Sequence, residues 1–370
     1  MHRTDHVLRS QSIGSQKTLT SFHFGHSGAR PKVYIQASLH AEELPGMLAA
    51  HHLRHLLEQA ETQGQIQGEI ILVPMANPIG LAQRAHHKPM GRFDLNTAEN
   101  FNRHFPDLTA AVLPLIDGKL GSNGDTNVAT IRQAMATHLH AWQPDTELAS
   151  QRKQLVSLAF DADVVLDLHC DCEAVMHMYT ETPCWPAMEP LARLLGAQAV
   201  LLAKNSGGLS FDECLSGPWW QLAEKCPFPI PQACASTTAE LRGEGDISHL
   251  FGQADANAIF GFLQHLGAVG GDAPVLPELA CAATPLAGAQ FVKSPVPGLL
   301  VFAAKPGDRL ALGDLVAEVI DPINGTVHAL RAEVSGVVYA RTTERYATPG
   351  DDLANIAGSV PFRTGNLLGA

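Results

Sequence analysis

The chain is poor in the features that mark secreted, membrane and nucleic-acid-binding proteins. Cysteine is scarce and odd in number, seven in 370 residues, and clusters only as Cys170-Asp171-Cys172. That excludes a disulfide framework and fits a reducing, cytoplasmic setting. No apolar stretch approaches the about 18 residues that a membrane helix needs. The first ten residues carry His2, Arg3, Asp5, His6 and Arg9 with no apolar core, so neither export nor membrane spanning is expected. Positive charge is also in short supply. Lys and Arg number 25 against 37 Asp and Glu, a net charge of −12 with the acidic residues scattered. Such a surface repels phosphate backbones and anionic lipid, which argues against nucleic acid and membrane as partners.

What is present is an ordinary globular composition, 45% hydrophobic and 17% charged. At 370 residues the chain outgrows one comfortable core, so one large domain and a smaller one are expected. Lys32 to Ser38, Glu69 to Met75, Asp163 to His169, Gln198 to Ala203 and Ala235 to Leu241 read as short buried strands. Leu44 to Glu58, Leu148 to Phe160 and Asp246 to Leu266 have helical spacing. Strands separated by helix-length segments indicate an α/β sheet covered on both faces, with parallel character. Between Pro106 and Pro144 the pattern weakens around Gly118, Gly121 and Gly124, which predicts an irregular lid or insertion.

A Gly/Pro linker from Gly267 to Pro274 closes the first domain, so the expected division is residues 1–270 and 271–370. Beyond about Gln290 short strands alternate with Pro-Gly and Gly turns, the texture of an all-β module. Its cadence resembles the barrel-sandwich hybrid of biotinyl and lipoyl carrier domains. The hairpin tip Asp321-Pro-Ile-Asn-Gly325 contains no lysine, so a structural cap or an oligomerisation module is the better reading than cofactor carriage. A homo-oligomer is compatible with this.

His40-Ala-Glu-Glu43 lies where a strand ends and a helix begins, and its spacing puts His40 and Glu43 on one side of the chain. With 18 histidines, an H-x-x-E is expected by chance on the order of once. The strand end raises its weight, because open α/β sheets bind ligands at the carboxyl ends of strands. His169 ends another apolar run. As a lone residue it would more often be a core imidazole bonded to a carbonyl; beside a His-Glu pair it completes a three-ligand zinc site with a fourth position open for water. Asp167, on the same strand face, can support an imidazole N–H or be purely structural. Cys170 and Cys172 are soft donors without a second pair and read as core. Glu42 is a rival to Glu43 that the spacing disfavours.

Glu240 sits in an otherwise apolar strand, where an unpaired carboxylate costs several kcal/mol unless it has a function. Beside a metal-held water it would be a general acid/base. Arg242, two residues on, shares its face in a regular strand and would pair with Glu240 or with substrate. Asn102 and Arg103 form the Arg-plus-amide pair that grips a carboxylate. Arg84 and Arg92 taken alone would be solvated loop residues.

In this order, His40-x-x-Glu43, Asn102-Arg103-x-Phe-Pro106, Asp167-Leu-His169 and Ala239-Glu240-Leu-Arg242 resemble the motifs of the succinylglutamate desuccinylase/aspartoacylase family, a branch of the zinc carboxypeptidase superfamily. The likeness spans roughly residues 30 to 360. His40-Ala-Glu-Glu43 stands where the family usually has H-G-x-E. The resemblance implies a carboxypeptidase-like mixed sheet and one Zn2+ per chain on His40, Glu43 and His169. It implies Glu240 as the catalytic carboxylate and Arg92, with Arg84 as the alternative, polarising the scissile carbonyl. Asn102 and Arg103 would hold the substrate carboxylate, and Tyr346 is the candidate pocket tyrosine from the C-terminal module. The implied substrate is an N-acyl amino acid; a carboxypeptidase for short peptides and a non-catalytic binding protein are the alternatives.

Overall fold

The computed structural model describes residues 1–369. A nine-stranded mixed sheet is built from β1 (His2–Val7), β2 (Thr18–Phe24), β3 (Lys32–Ala37), β4 (Glu69–Val73), β5 (Val164–Asp171), β6 (His177–Glu181), β7 (Ala199–Ala203), β8 (Ala235–Gly243) and β9 (Ala283–Pro285). Its order is β1-β2-β4-β3-β5-β8-β6-β7-β9. Strands β4, β3, β5 and β8 run parallel, while β6 runs antiparallel to β8. The carboxyl ends of β3, β5 and β8 therefore open on one edge, which is where His40, His169 and Glu240 fall.

Among the described residues seven helices of nine residues or more cover the sheet: α1 (Pro45–Thr62), α2 (Leu108–Ile116), α3 (Gly124–Ala141), α4 (Glu147–Ala159), α5 (Trp185–Leu195), α6 (Phe211–Lys225) and α7 (His249–His265). On one face Val33, Ile35, Leu166 and Leu168 pack with Leu53 and Leu57 of α1, Met188 of α5 and Phe262 of α7. On the other, Tyr34, Ile71 and Val165 pack with Val112, Met135, Leu155 and Trp219 from α2, α3, α4 and α6. Alternation along each strand serves both layers, so the strands read as continuous apolar runs. Pro45 opens α1 with its φ already helical. Ala49, Leu53, Leu57 and Ala60 then bury one stripe; truncating Leu53 or Leu57 to Ala costs about 2–5 kcal/mol.

Residues 106–144 are not the irregular excursion that their glycines predict. Asp107 and Asn123 accept hydrogen bonds from Ala110 and Thr126 as caps of α2 and α3. The polar and glycine residues that imitate a loop are helix boundaries, and the helices between them belong to the second core layer.

The C-terminal β module has two small sheets. Strands β10 (Gln290–Lys293), β14 (Gly336–Arg341) and β15 (Asp352–Gly358), with the short Arg309–Leu310, form one, and β11 (Gly298–Phe302), β12 (Leu315–Asp321) and β13 (Thr326–Arg331), with the short Tyr346–Ala347, the other. Val316, Val319, Val338 and Ile356 fill the space between them. The module is stitched to the larger sheet: Glu173–Ala174 pairs with β14, and Arg341 and Arg345 bond the Glu173 carboxylate. Strand β9, past the Gly/Pro linker, returns to the large sheet beside β7.

Candidate active site

His40 and Glu43 occupy the turn that follows β3, just ahead of α1 rather than within its first turn. The turn is closed by the Glu43 N–H on the His40 carbonyl at 3.1 Å and by the Ser38 hydroxyl on the Glu43 carbonyl at 2.9 Å. His169 sits near the end of β5. The Glu43 carboxylate lies between the two imidazoles, with Oε1 2.9 Å from His40 Nδ1 and Oε2 2.7 Å from His169 Nδ1. The Cys170 N–H also donates to Oε2, at 3.2 Å. All three side chains are buried, and one donor atom from each lies within 4.8 Å of the others.

The tautomer of His40 suits a cation. Asn100 Oδ1 accepts the Asn102 N–H at 2.8 Å, which identifies it as the amide oxygen, and it also lies 2.8 Å from His40 Nε2. His40 Nε2 must then carry the proton, leaving Nδ1 as a lone pair aimed at a carboxylate oxygen. Burial, followed by the positive charge of Arg92, lowers the pKa of His40 to about 4, so the ring is neutral. Asp167 Oδ2 lies 3.1 Å behind His169 Nε2, though off the line of a hydrogen bond. Asp167 itself is fixed by Gln36, which accepts from Tyr34. His40 Nδ1, the Glu43 carboxylate and His169 Nδ1 face one buried point; against burial, the charges of Asp167 and Glu43 raise the pKa of His169 well above the ordinary imidazole range, and a metal ion would take the place of that proton.

Glu240 stands in β8 directly opposite His169 of β5 and His177 of β6. Its Oε2 is buried without a hydrogen-bond partner. Burial and then the Glu43 charge raise its pKa well above the carboxylate range, so it holds a proton readily.

These groups line a cavity of about 270 Å3. Arg92 is at its mouth, 46% exposed, with a guanidinium nitrogen 3.3 Å from Glu43 Oε1. Asn102 also lines it, its Oδ1 accepting the Phe211 N–H at 2.8 Å. Arg103 runs along the wall against Gly208, where a Cβ would come within 2.7 Å of Arg103 Cδ. It donates to the carbonyls of Asn102 and Gly369 at 2.7 and 2.5 Å. Opposite, burial pushes Glu181 up to about 8 despite hydrogen bonds from Ser216 and Trp220. The C-terminal module contributes Phe291, Asp352 and Asn355, and Leu368 and Gly369 close one side.

Three expected residues are not brought here. Arg84 lies exposed in a two-residue ladder with Lys88–Pro89. Arg242 has a left-handed φ of 68°, and the register of β8 slips between Glu240 and Gly243. That irregularity breaks the alternation expected of the strand and turns Arg242 onto Asp255 of α7, at 2.5 and 3.0 Å. Tyr346 is 64% exposed in the second small sheet. The tyrosine that the module places near the cavity is Tyr339, buried with its ring centroid 6.4 Å from that of Tyr179 on the cavity wall. Asn100, inside the Asn100-Phe-Asn102 motif, was not singled out from sequence, though its place two residues before Asn102 is the signal. Residues 106–144 do not line the cavity.

The model of the succinylglutamate desuccinylase/aspartoacylase catalytic domain matches residues 29–217, just over half of the chain. The chain belongs to this family. The family's reactions are deacylations, so the chain is placed among hydrolases. A family protein of Shewanella amazonensis is 25% identical with a TM-score of 0.82, covering 96% of this chain and 98% of that one. One from Shewanella frigidimarina is 23% identical with a TM-score of 0.83, covering 96% and 97%. The ectoine utilization protein EutE of Ruegeria pomeroyi is 19% identical with a TM-score of 0.68, covering 96% and 93%. The last two share the fold. No match is found among curated proteins. Among the described residues no helix is long and apolar enough to cross a membrane.

Proposed function

We propose that the chain is a zinc-dependent deacylase that hydrolyses the amide bond of an N-acyl amino acid. The observation that carries this reading is the convergence of His40 Nδ1, Glu43 and His169 Nδ1 beside a partnerless Glu240 carboxyl. His40, Glu43 and His169 would hold one Zn2+, which when bound supplies Lewis acidity toward water and the substrate carbonyl.

Asn102 and Arg103 orient the substrate through its carboxylate. Arg92, at the mouth beside Glu43, donates to the carbonyl oxygen as negative charge gathers there. Glu240 takes a proton from the attacking water and returns it to the leaving nitrogen as the C–N bond breaks and the new C–O bond forms. A group that must both accept and release a proton works best with a pKa lifted toward neutrality, and burial beside Glu43 lifts that of Glu240. A cavity of about 270 Å3 walled by the C-terminal module suits a small molecule better than a long peptide.

The test is a panel of N-acyl amino acids and dipeptides assayed with zinc-loaded and chelated protein. Release of free amino acid from the N-acyl compounds, abolished by chelation and restored by zinc, is expected. Turnover that ignores chelation, or that is confined to dipeptides, would overturn the reading.

A further inference from the structure

Helix α1 carries His51, His52 and His55, and α7 opens with His249. None of the four lines the active-site cavity. They gather where the two helices pack, and Gly252 faces α1 at a point that leaves no room for a side chain. A Cβ at Gly252 would lie 2.7 Å from Leu48 Cγ and 3.1 Å from His52 Cδ2. The missing side chain lets α7 seat on α1 and sets His249, one turn earlier, over His52. His52 Nε2 and His249 Nδ1 are then 3.1 Å apart. Ring centroids are 5.2 Å apart for His52 and His249, 5.2 Å for His51 and His52, and 4.6 Å for His51 and His55. His51, His55 and His249 are exposed and His52 is half-buried, so the paired nitrogens are reachable from solvent.

We propose that His52 and His249 form a second, peripheral site for a divalent transition-metal ion, separate from His40, Glu43 and His169. Two imidazole nitrogens on a tetrahedral ion, each at about 2.05 Å, stand about 3.3 Å apart, so the pair needs to open by only a few tenths of an ångström. Water fills the remaining positions, with the His51 ring alongside, its centroid 5.2 Å from that of His52. A site of neutral imidazoles suits Zn2+, Cu2+ or Ni2+ and gives Mg2+ and Ca2+ none of the oxygens they require. Burial, with His51 and His249 alongside, lowers the basicity of His52, which keeps that ring in the neutral form a ligand must have. The carboxylate of Glu58 is 3.4 Å from His55 and is already bonded by Arg54, and His52 and His249 bond each other, so the site is a histidine site. A bound ion ties α7 to α1, the helix that starts two residues after Glu43.

The experiment titrates Cu2+ into the full-length chain at pH 7.5, once with the active site filled by one equivalent of zinc and once as a His169→Ala variant. Both forms are expected to take up one further equivalent, with nitrogen hyperfine structure from imidazole in the paramagnetic resonance spectrum. His249→Ala and His52→Gln are each expected to weaken that equivalent at least tenfold, while a His51→Ala/His55→Ala double variant retains most of it. His249 is exposed, so its variant keeps the fold, which circular dichroism checks. Absence of a further equivalent in both forms, its survival in His249→Ala, or its loss only in the His51/His55 variant would each overturn the assignment. The readout is metal uptake alone, so it stands or falls independently of the deacylase activity.

Discussion

Asn100 Oδ1 serves two residues at once, accepting from His40 Nε2 and from the Asn102 N–H, each at 2.8 Å. One amide oxygen thus sets the tautomer of the His40 imidazole and the position of the loop that carries Asn102 and Arg103. Asn100→Ala is expected to weaken zinc binding by about 10–100-fold, with a smaller loss in Asn100→Asp, which keeps the acceptor. Competition against a chromophoric chelator measures it; unchanged affinity in the alanine variant would show that the bond has no role in holding the metal.

Glu240→Gln removes the proposed proton carrier and leaves His40, Glu43 and His169 in place. A fall in kcat of about 10²–10⁴-fold is expected with one zinc per chain retained. Turnover within a few-fold of the parent would place the acid/base elsewhere.

Arg103→Ala removes the guanidinium expected to grip the substrate carboxylate. KM for N-acyl amino acids should rise by at least tenfold, and the corresponding N-acyl amines, lacking the carboxylate, should be hydrolysed equally by parent and variant. An equal loss on both substrate types would refute carboxylate recognition by Arg103.

Arg242 is engaged by the buried Asp255 rather than by the cavity. Arg242→Ala strands that carboxylate and is expected to cost about 3 kcal/mol of stability, seen in denaturant unfolding, with kcat/KM of the folded protein changed less than about threefold. A selective catalytic loss at unchanged stability would contradict this.

Glu181, pushed up to about 8 by burial, makes stability depend on pH with a definite sign. Its folded pKa lies above the unfolded value of about 4.3, so the neutral form is favoured by folding. The stabilisation is complete below about pH 4 and is lost as pH rises through about 8. Glu181→Gln should therefore flatten the fall in Tm between pH 5 and 9 and leave the variant the more stable form at the alkaline end. Parallel Tm curves for the two proteins would rule out Glu181 as the titrating group.

Local pattern was enough for strands β3, β4, β5, β7 and β8, the helices α1, α4 and α7 and the ordered motif set, because burial on both faces writes continuous apolar runs against which His and Glu at strand ends stand out. It was misleading over residues 106–144, where cap residues look like loop residues until their hydrogen bonds are known. The N-terminal hairpin β1-β2 and strand β6 were not legible either: β1 is a largely exposed edge, and β2 and β6, although interior, are interrupted by Thr, Ser and His and carry no continuous apolar run.

The sequence by itself determined the family, the α/β architecture with its β module, and the candidate site residues His40, Glu43, His169 and Glu240, because these follow from residue type and short-range spacing. Tertiary structure alone decided what surrounds that set. A slipped register and a left-handed φ turned Arg242 away. The pairing of Glu173–Ala174 with β14 carried Tyr339 toward the cavity and left Tyr346 outside. The packing of α7 on α1 at Gly252 joined His249 to His52 across 197 positions of chain. Such contacts depend on strand register and helix approach, quantities that the whole fold sets and no local stretch of sequence encodes.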